Sequence, residues 1–163
     1  MKIYPIKQHD DSACGPTAIE MVLKYFNISH SFKEISIISG YKKKGGLSNQ
    51  ELVHTLKKFD LDIREKSGAR WSDLLNQNTK KKLIIVSWML NGYIGHFSVV
   101  DSVGKHYIKL ADPYSGTIRK MEKIMFMRLW MDYDDMWYPS KNTDIQLRWM
   151  CIVSKGKQKK NLI

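Results

Sequence analysis

Two strand-like runs separated by a three-residue link constrain this chain more than any other feature of it. Residues 95–102 and 106–112 are rich in β-branched and aromatic side chains. Val103-Gly104-Lys105 between them is too short for anything but a hairpin turn. Paired residues in an antiparallel ladder share a face, and faces alternate with period two. A three-residue loop puts Ser102 opposite His106, Val100 opposite Ile108, Ser98 opposite Leu110 and His96 opposite Asp112. This register gathers Val100, Ile108 and Leu110 on the face of His96, so that face buries coherently. A two-residue loop would send His96 and Asp112 to opposite faces. The expected outcome is a histidine beside an aspartate at the open end of a hairpin.

The remaining elements fall around that hairpin. Ala18, Met21, Val22, Tyr25 and Phe26 recur at helical spacing, which predicts a helix over about 14–26 with one buried stripe. Ser31-Phe32-Lys33-Glu34 and Ser48-Asn49-Gln50-Glu51 have the spacing of capping boxes. The first opens a short helix that stops at Gly40, and the second a helix with Leu52, Val53, Leu56 and Phe59 inward. Residues 41–47 read as a loop with Gly45-Gly46 as its flexible point. A strand is expected over 61–65, a short helix from Trp71, a buried strand over 83–88 and a further strand over 117–120. Residues 122–130 read as a helix with Ile124, Met125, Met127 and Leu129 inward, and 146–154 as the strand that closes the sheet. Residues 1–7 read as an extended lead-in over a sheet edge. Helices first and antiparallel strands second is an α+β pattern, with a cleft where the first helix meets the sheet. The chain reads as a single domain over 1–154, followed by a basic, mobile tail over 155–163.

Cys14 stands at the start of the first predicted helix, after the polar turn Gln8-His9-Asp10-Asp11-Ser12. Gly15 and Pro16 fit such a start, because a first-turn proline lacks only an N–H that has no helical partner. Helix N-termini stabilise anions through the helix dipole and unpaired N–H groups, the setting in which cysteines act as nucleophiles. An isolated cysteine is more often a small core residue, and Asp112 before Pro113 is by itself an ordinary turn starter. Jointly, a cysteine, a histidine, an aspartate to orient it and an upstream glutamine are the parts of thiol-based acyl transfer. The Gln8 side-chain N–H and the Cys14 backbone N–H are candidates to stabilise the oxyanion. His9 is the one other histidine placed near this cleft, and Trp88, Trp137 and Tyr138 are candidate groove-lining residues.

Composition excludes several other classes. The formal charge is +11, from 27 Lys+Arg against 16 Asp+Glu, but the basic runs at 42–44, 80–82 and 155–160 are scattered and lack interleaved aromatics. No specific nucleic-acid partner is expected; they read as solvated faces. The longest apolar-dominated run, 83–90, contains Ser87 and is far short of a membrane span. No secretory signal precedes residue 8, and two cysteines make no disulfide framework, which points to reduced thiols and a cytoplasmic protein. Cys151 reads as a core thiol on a late strand. No zinc-type ligand spacing and no phosphate-cradling glycine loop is present, so neither metal nor cofactor is expected. A peptide or protein substrate fits these parts best, and the oligomeric state is left open.

Gln8-x5-Cys14-Gly15-Pro16-Thr17-Ala18, then Gly95-His96-Phe97-Ser98-Val99-Val100, then Asp112-Pro113-x2-Gly116 together resemble the papain-like cysteine peptidases of the bacteriocin-processing, double-glycine-leader type. The resemblance is closest to free-standing members without transporter domains and spans residues 3 to about 154. It implies a papain-like fold, Cys14 as nucleophile, His96 as general base and acid, Asp112 as the residue that orients His96, and Gln8 in the oxyanion hole. Transporter-linked members usually carry an acidic residue before the nucleophile, where this chain has Ala13. The same parts serve a deamidase, an isopeptidase or a transpeptidase, and a non-catalytic peptide-binding module would keep the same fold.

Overall fold

The computed structural model describes residues 3–133 and 138–156. Four helices come first: α1 (Cys14–Tyr25), α2 (Phe32–Ser39), α3 (Tyr41–Lys44) and α4 (Asn49–Lys57). Strand β1 (Leu61–Lys66) and helix α5 (Trp71–Gln77) lead into the meander β2 (Lys82–Leu90), β3 (Ile94–Val103), β4 (Tyr107–Asp112) and β5 (Thr117–Glu122). Helix α6 (Lys123–Leu129), β6 (Met131–Tyr133), β7 (Ile145–Leu147) and β8 (Met150–Lys155) complete the described chain. The main sheet is wholly antiparallel, in the order β1-β8-β2-β3-β4-β5, and β6 pairs with β7 in a separate ribbon.

Both faces of the sheet are covered. Leu83, Ile85, Phe97, Val99, Ala111, Cys151 and Val153 face α1 and α4 in one apolar cluster. Ile84, Val86, Trp88, Val100, Ile108, Leu110, Met150 and Ile152 meet Trp71, Leu74, Phe126 and Trp130 of the α5 and α6 regions in a second. Strand β2 therefore reads as a continuous apolar run because it is buried on both sides. The mixed helix–sheet fold follows the sequence expectation, with helices on the second face as an addition to it.

Helix α1 is more deeply set than its pattern predicts. Gly15 through Leu23 are all buried, including Thr17 and Glu20, so the helix is wrapped by the sheet and the other helices rather than presenting one stripe. Each fully buried Leu, Ile or Met there contributes about 1.5–3 kcal/mol of apolar transfer.

Three further expectations are corrected. Residues 41–44 form a turn of helix rather than loop, because Gly40 and Gly45 both take left-handed φ values, 62° and 74°, and fold the chain back on either side. In α6 Phe126 is fully buried and Met127 and Leu129 are half-buried against the same cluster, as expected for the latter two, but Ile124 and Met125 are 73% and 50% exposed because they lie on the side turned from the sheet. The closing segment is broken at Arg148, φ 50°, so 145–147 pairs with β6 and only β8 joins the main sheet. Strand β8 reaches Lys155, and Gly156 N–H donates to Asp60 O at 3.1 Å; the rest of the basic tail lies outside the described residues.

The β3–β4 register also differs from the simple count. Val103 pairs with Ile108 and Ser102 with Lys109, and then a bulge at Asp101 brings Val100 opposite Leu110 and Val99 opposite Ala111. Continued outward, this register sets Asp112 opposite Ser98 and diagonal to His96. Both still lie on one face. Without the bulge, the wider turn would carry Asp112 to the far side of the sheet, because a one-residue slip flips every side chain. The bulge is held from outside: Asp101 Oδ1 accepts from Ile3 N–H at 3.2 Å, and Asp101 O accepts from Asn78 Nδ2 at 3.3 Å.

The lead-in then crosses the end of β4. Gln8 N–H donates to Pro113 O at 2.8 Å, and Gly116, at φ 67°, lets Lys7 approach the turn after β4. A Cβ on Gly116 would lie 2.7 Å from Lys7 Cβ and 3.0 Å from its backbone N and Cα. Gly116→Ala is therefore expected to destabilise the fold by about 1–3 kcal/mol. Thermal unfolding reads this as a lowered midpoint; an unchanged midpoint would mean that the lead-in is not seated on the turn.

Candidate active site

Asp112 ends β4 with no exposure to water, and His96 is 3% exposed near the start of β3. His96 Nε2 lies 2.6 Å from Asp112 Oδ1. The carboxylate has three further donors: Arg119 Nε at 2.7 Å to Oδ2, Tyr114 N–H at 3.1 Å to Oδ1 and Ser115 Oγ at 3.4 Å to Oδ2. Burial would raise the Asp112 pKa, but the hydrogen bond and charge of His96, with Arg119 behind, hold it below the ordinary carboxylate value. Asp112 is thus an acceptor, and His96 donates from Nε2, leaving Nδ1 as its second polar atom.

The same ring also meets the cysteine. Burial alone would lower the His96 pKa; hydrogen bonding and charge from Asp112 and from Cys14 outweigh it and raise the value to about 9. Trp88 pairs directly with His96 across β2 and β3 and stacks edge-on to it, with ring centres 5.6 Å apart and an interplanar angle of 78°. Its indole N–H donates to Ser98 Oγ at 3.0 Å, and the Arg119 guanidinium lies 5.8 Å from its ring centre. Trp88 is 1% exposed, so it seals the back of the His96–Asp112 pair instead of lining a groove. Tyr138 is 70% exposed, and Trp137 lies outside the described residues.

Cys14 begins α1, and no side chain caps the N–H groups of that helix at Ala13. The Cys14 thiol is partly exposed, whereas Cys151 is fully buried on β8 and burial pushes its thiol well above the ordinary range. Gln8 is linked to the residue before Cys14 through a shared acceptor. Gln8 Nε2 donates to Asp10 O at 2.7 Å, and Ala13 N–H donates to the same oxygen at 3.1 Å. The Gln8 amide nitrogen keeps a second proton after that bond. Of the four residues singled out from the sequence, His96 thus meets both Asp112 and Cys14, and Gln8 is tied to the turn before Cys14 and to the residue after Asp112. His9 is exposed and stacks on Phe32 with ring centres 4.0 Å apart.

A cavity of ≈ 730 Å³ opens beside Cys14. Ser12, Gly46, Leu47, Gly95, Phe97 and Asp132 are among the residues of its wall. Leu47 and Phe97 press on the start of α1; a Cβ on Gly15 would lie 3.1 Å from Leu47 and 3.3 Å from Phe97. Asp132 occupies the space beside Gly95, 2.8 Å from where a Cβ would stand there, and accepts from Ser87 Oγ at 2.5 Å. Among the described residues no group of His, Cys, Asp and Glu side chains is arranged to hold a metal ion, and no helix is long and apolar enough to cross a membrane.

Arg119 was not anticipated from the sequence. The signal was present: a four-residue turn after Asp112 pairs Asp112 with Thr117 and Leu110 with Arg119, which sets Arg119 on the Asp112 face.

The fold recurs among solved peptidase domains. The peptidase domain of Streptococcus ComA, a bifunctional ABC transporter of a quorum-sensing pathway, superposes with a TM-score of 0.71 at 19% identity, covering 94% of this chain and 99% of that one. The double-glycine-motif protease of an AMS/PCAT transporter, solved in complex with the leader peptide, gives 0.69 at 18% identity over 94% and 93%. A C39-like peptidase from Bacillus anthracis gives 0.71 at 12% identity over 94% and 96%. No curated protein sequence matches significantly. The chain matches the Peptidase C39 family over residues 2–135, and on that match it belongs to the family and is a cysteine peptidase.

Proposed function

We propose that this peptidase cuts a peptide bond with Cys14 as nucleophile, His96 as proton carrier, Asp112 as the residue that orients His96, and Gln8 as an oxyanion donor, all within one domain over 1–154. The observation that carries this reading is the buried His96–Asp112 bond of 2.6 Å with Cys14 against the same ring. A histidine held at Nε2 by a carboxylate presents Nδ1 in one orientation, as a proton carrier must.

The steps follow from that arrangement. The Cys14 thiolate attacks the substrate carbonyl carbon, and the carbonyl electron pair moves onto oxygen. Gln8 Nε2–H and the Cys14 backbone N–H donate to that oxyanion at the uncapped start of α1. The His96 imidazolium gives its Nδ1 proton to the leaving amine as the C–N bond breaks, which leaves a thioester on Cys14. Water then attacks the thioester with neutral His96 taking its proton, and the acid product and free thiolate separate. Asp112 keeps its charge throughout.

The bond cut is read as the one that follows a Gly-Gly leader end. Leu47 and Phe97 stand with Cys14 in the wall of the cavity and give that wall an apolar stretch beside the nucleophile. Family membership and the likeness in fold to a double-glycine-motif protease support the Gly-Gly reading. A leader peptide ending in Gly-Gly should be cleaved after the second glycine. Replacing that glycine by valine should lower kcat/KM by roughly 10–100-fold. Equal rates on both peptides, read by mass spectrometry, would contradict this assignment.

Labelling and pH dependence test the same reading. A thiol-directed activity probe should label the wild-type protein at Cys14 alone and leave Cys14→Ala unlabelled; labelling of Cys14→Ala at Cys151 would sink the nucleophile assignment. For pH, the acid form of His96 is needed for amine departure, so activity should fall as pH rises through about 9. The sign for stability is the same: a raised histidine pKa stabilises the fold fully below 6.5, and that contribution is lost as pH rises through about 9. Asp112→Asn removes the negative charge that raises the His96 pKa, so the alkaline limb should move toward neutrality. Unshifted limbs in pH–rate profiles of the two proteins would contradict the orienting role of Asp112.

A further inference from the structure

The turn that carries Gln8 toward Cys14 docks on Pro113 at one end and is fastened to α3 through one carboxylate. Asp10 Oδ1 accepts from Ser12 N–H at 3.0 Å and from Ser12 Oγ at 2.7 Å, which closes the turn on itself. Asp10 Oδ2 accepts from Tyr41 Oη at 2.8 Å. Tyr41 is completely buried and opens α3, so the turn is tied to a rigid anchor well outside its own segment. The backbone carbonyl of the same Asp10 takes Gln8 Nε2 at 2.7 Å and Ala13 N–H at 3.1 Å. One residue thereby fixes the Gln8 amide by its carbonyl and is itself fixed by its carboxylate.

The electrostatics agree with a permanent bond. Burial would raise the Asp10 pKa, yet the hydrogen bonds from Ser12 and Tyr41 hold it below the ordinary carboxylate value. Burial first, and then the bond to Asp10, push the Tyr41 phenol up to about 12, so across the neutral range it stays a donor facing a charged acceptor. Such charge-assisted bonds are shorter and stronger than neutral ones. The Gln8 Oε1 atom is buried and finds no partner among the described residues, so nothing at the oxygen end of the amide fixes it. The bond to Asp10 O is what orients the nitrogen.

We propose that Asp10 and Tyr41 are positioning residues for the reaction: the Tyr41–Asp10 bond sets the Asp10 carbonyl, and that carbonyl aims the second N–H of Gln8 at the oxyanion. The inference rests on the reading of Gln8 as oxyanion donor. The reach of the device extends to the cavity wall, since Tyr41 O also accepts from Gly46 N–H at 3.1 Å. A rigid support of this kind matters because an oxyanion donor works only if it needs no reorganisation during the reaction.

The test is a double-mutant cycle on peptide hydrolysis with wild type, Tyr41→Phe, Gln8→Ala and the double variant. Tyr41→Phe keeps the buried ring and removes only the hydroxyl. It should lower kcat roughly 10-fold with KM unchanged, and Gln8→Ala should lower kcat roughly 100-fold. In the Gln8→Ala background, Tyr41→Phe should then cost nothing more, because there is no amide left to aim. Equal losses from Tyr41→Phe in both backgrounds, or no loss in either, would overturn the proposal while leaving Gln8 as the donor. If Gln8→Ala itself keeps full kcat, the Gln8 reading fails, and this inference with it. A second pair guards against simple misfolding. Asp10→Asn can still accept from Ser12 and bond Tyr41 Oη, so it should retain most of the kcat that Asp10→Ala loses. Equal kcat in these two variants would count against the positioning role.

Discussion

A carboxylate with no exposure to water stays charged only if its surroundings replace the water it has lost. Asp112 is in that position, and much of the protein is arranged to satisfy it. His96 and Arg119 bring charge, and Tyr114 N–H and Ser115 Oγ bring neutral donors from the turn that follows. Trp88 closes the back of the pair, with the Arg119 guanidinium over its ring. Removing any one charged partner would leave a buried charge incompletely paired, which is why this cluster constrains the sheet, the turn and the histidine together. The result is an imidazole held at Nε2 by a buried carboxylate, the orientation that the proposed reaction requires.

The sheet meets this demand through a local irregularity. Asp112 reaches the face of His96 because the bulge at Asp101 cancels the extra residue in the β3–β4 turn. The bulge is braced by Ile3 and Asn78, and the lead-in that contains Ile3 goes on to dock Gln8 on Pro113. Strand register and the turn that carries Gln8 are therefore held by one length of chain. It links the start of α1, where Cys14 stands, to the sheet, where His96 stands. Gly116 makes that docking possible by leaving room for Lys7.

Much of this was legible in the sequence, for reasons that can be named. The two Ser-x-x-Glu starts are local signals, and both helices begin where the spacing says; Ser31 and Ser48 accept from the N–H three residues on. The shared face of His96 and Asp112 was deduced from period two. The deduction survived although the pairing it assumed, His96 directly opposite Asp112, is not the one observed. Two departures, a longer turn and a bulge, offset each other in parity, and neither is visible in the residues of the hairpin itself. Arg119 could have been reached by extending the same count through the next turn. The Tyr41–Asp10 bond could not: a tyrosine after Gly40 carries no mark of the turn it will meet, because only the packing of α2 and α3 against the lead-in brings them together. In α6 the apolar content at 124–129 does not separate the faces: Phe126 is buried, Met127 and Leu129 pack half-buried beside it, and Ile124 and Met125 face water.

The central claim is that Cys14, His96 and Gln8, supported by Asp112, form one acyl-transfer site. A crystal structure of the protein with a peptide aldehyde ending in Gly-Gly-al tests it most directly, since such an aldehyde traps the tetrahedral geometry. The account predicts a bond from Cys14 Sγ to the aldehyde carbon. The new oxygen should lie within about 2.7–3.1 Å of both Gln8 Nε2 and the Cys14 backbone N. His96 Nδ1 should face the side from which the amine would leave. An adduct whose oxygen turns away from Gln8 toward bulk water, or an aldehyde bound in the cavity without a bond to Cys14, would contradict it.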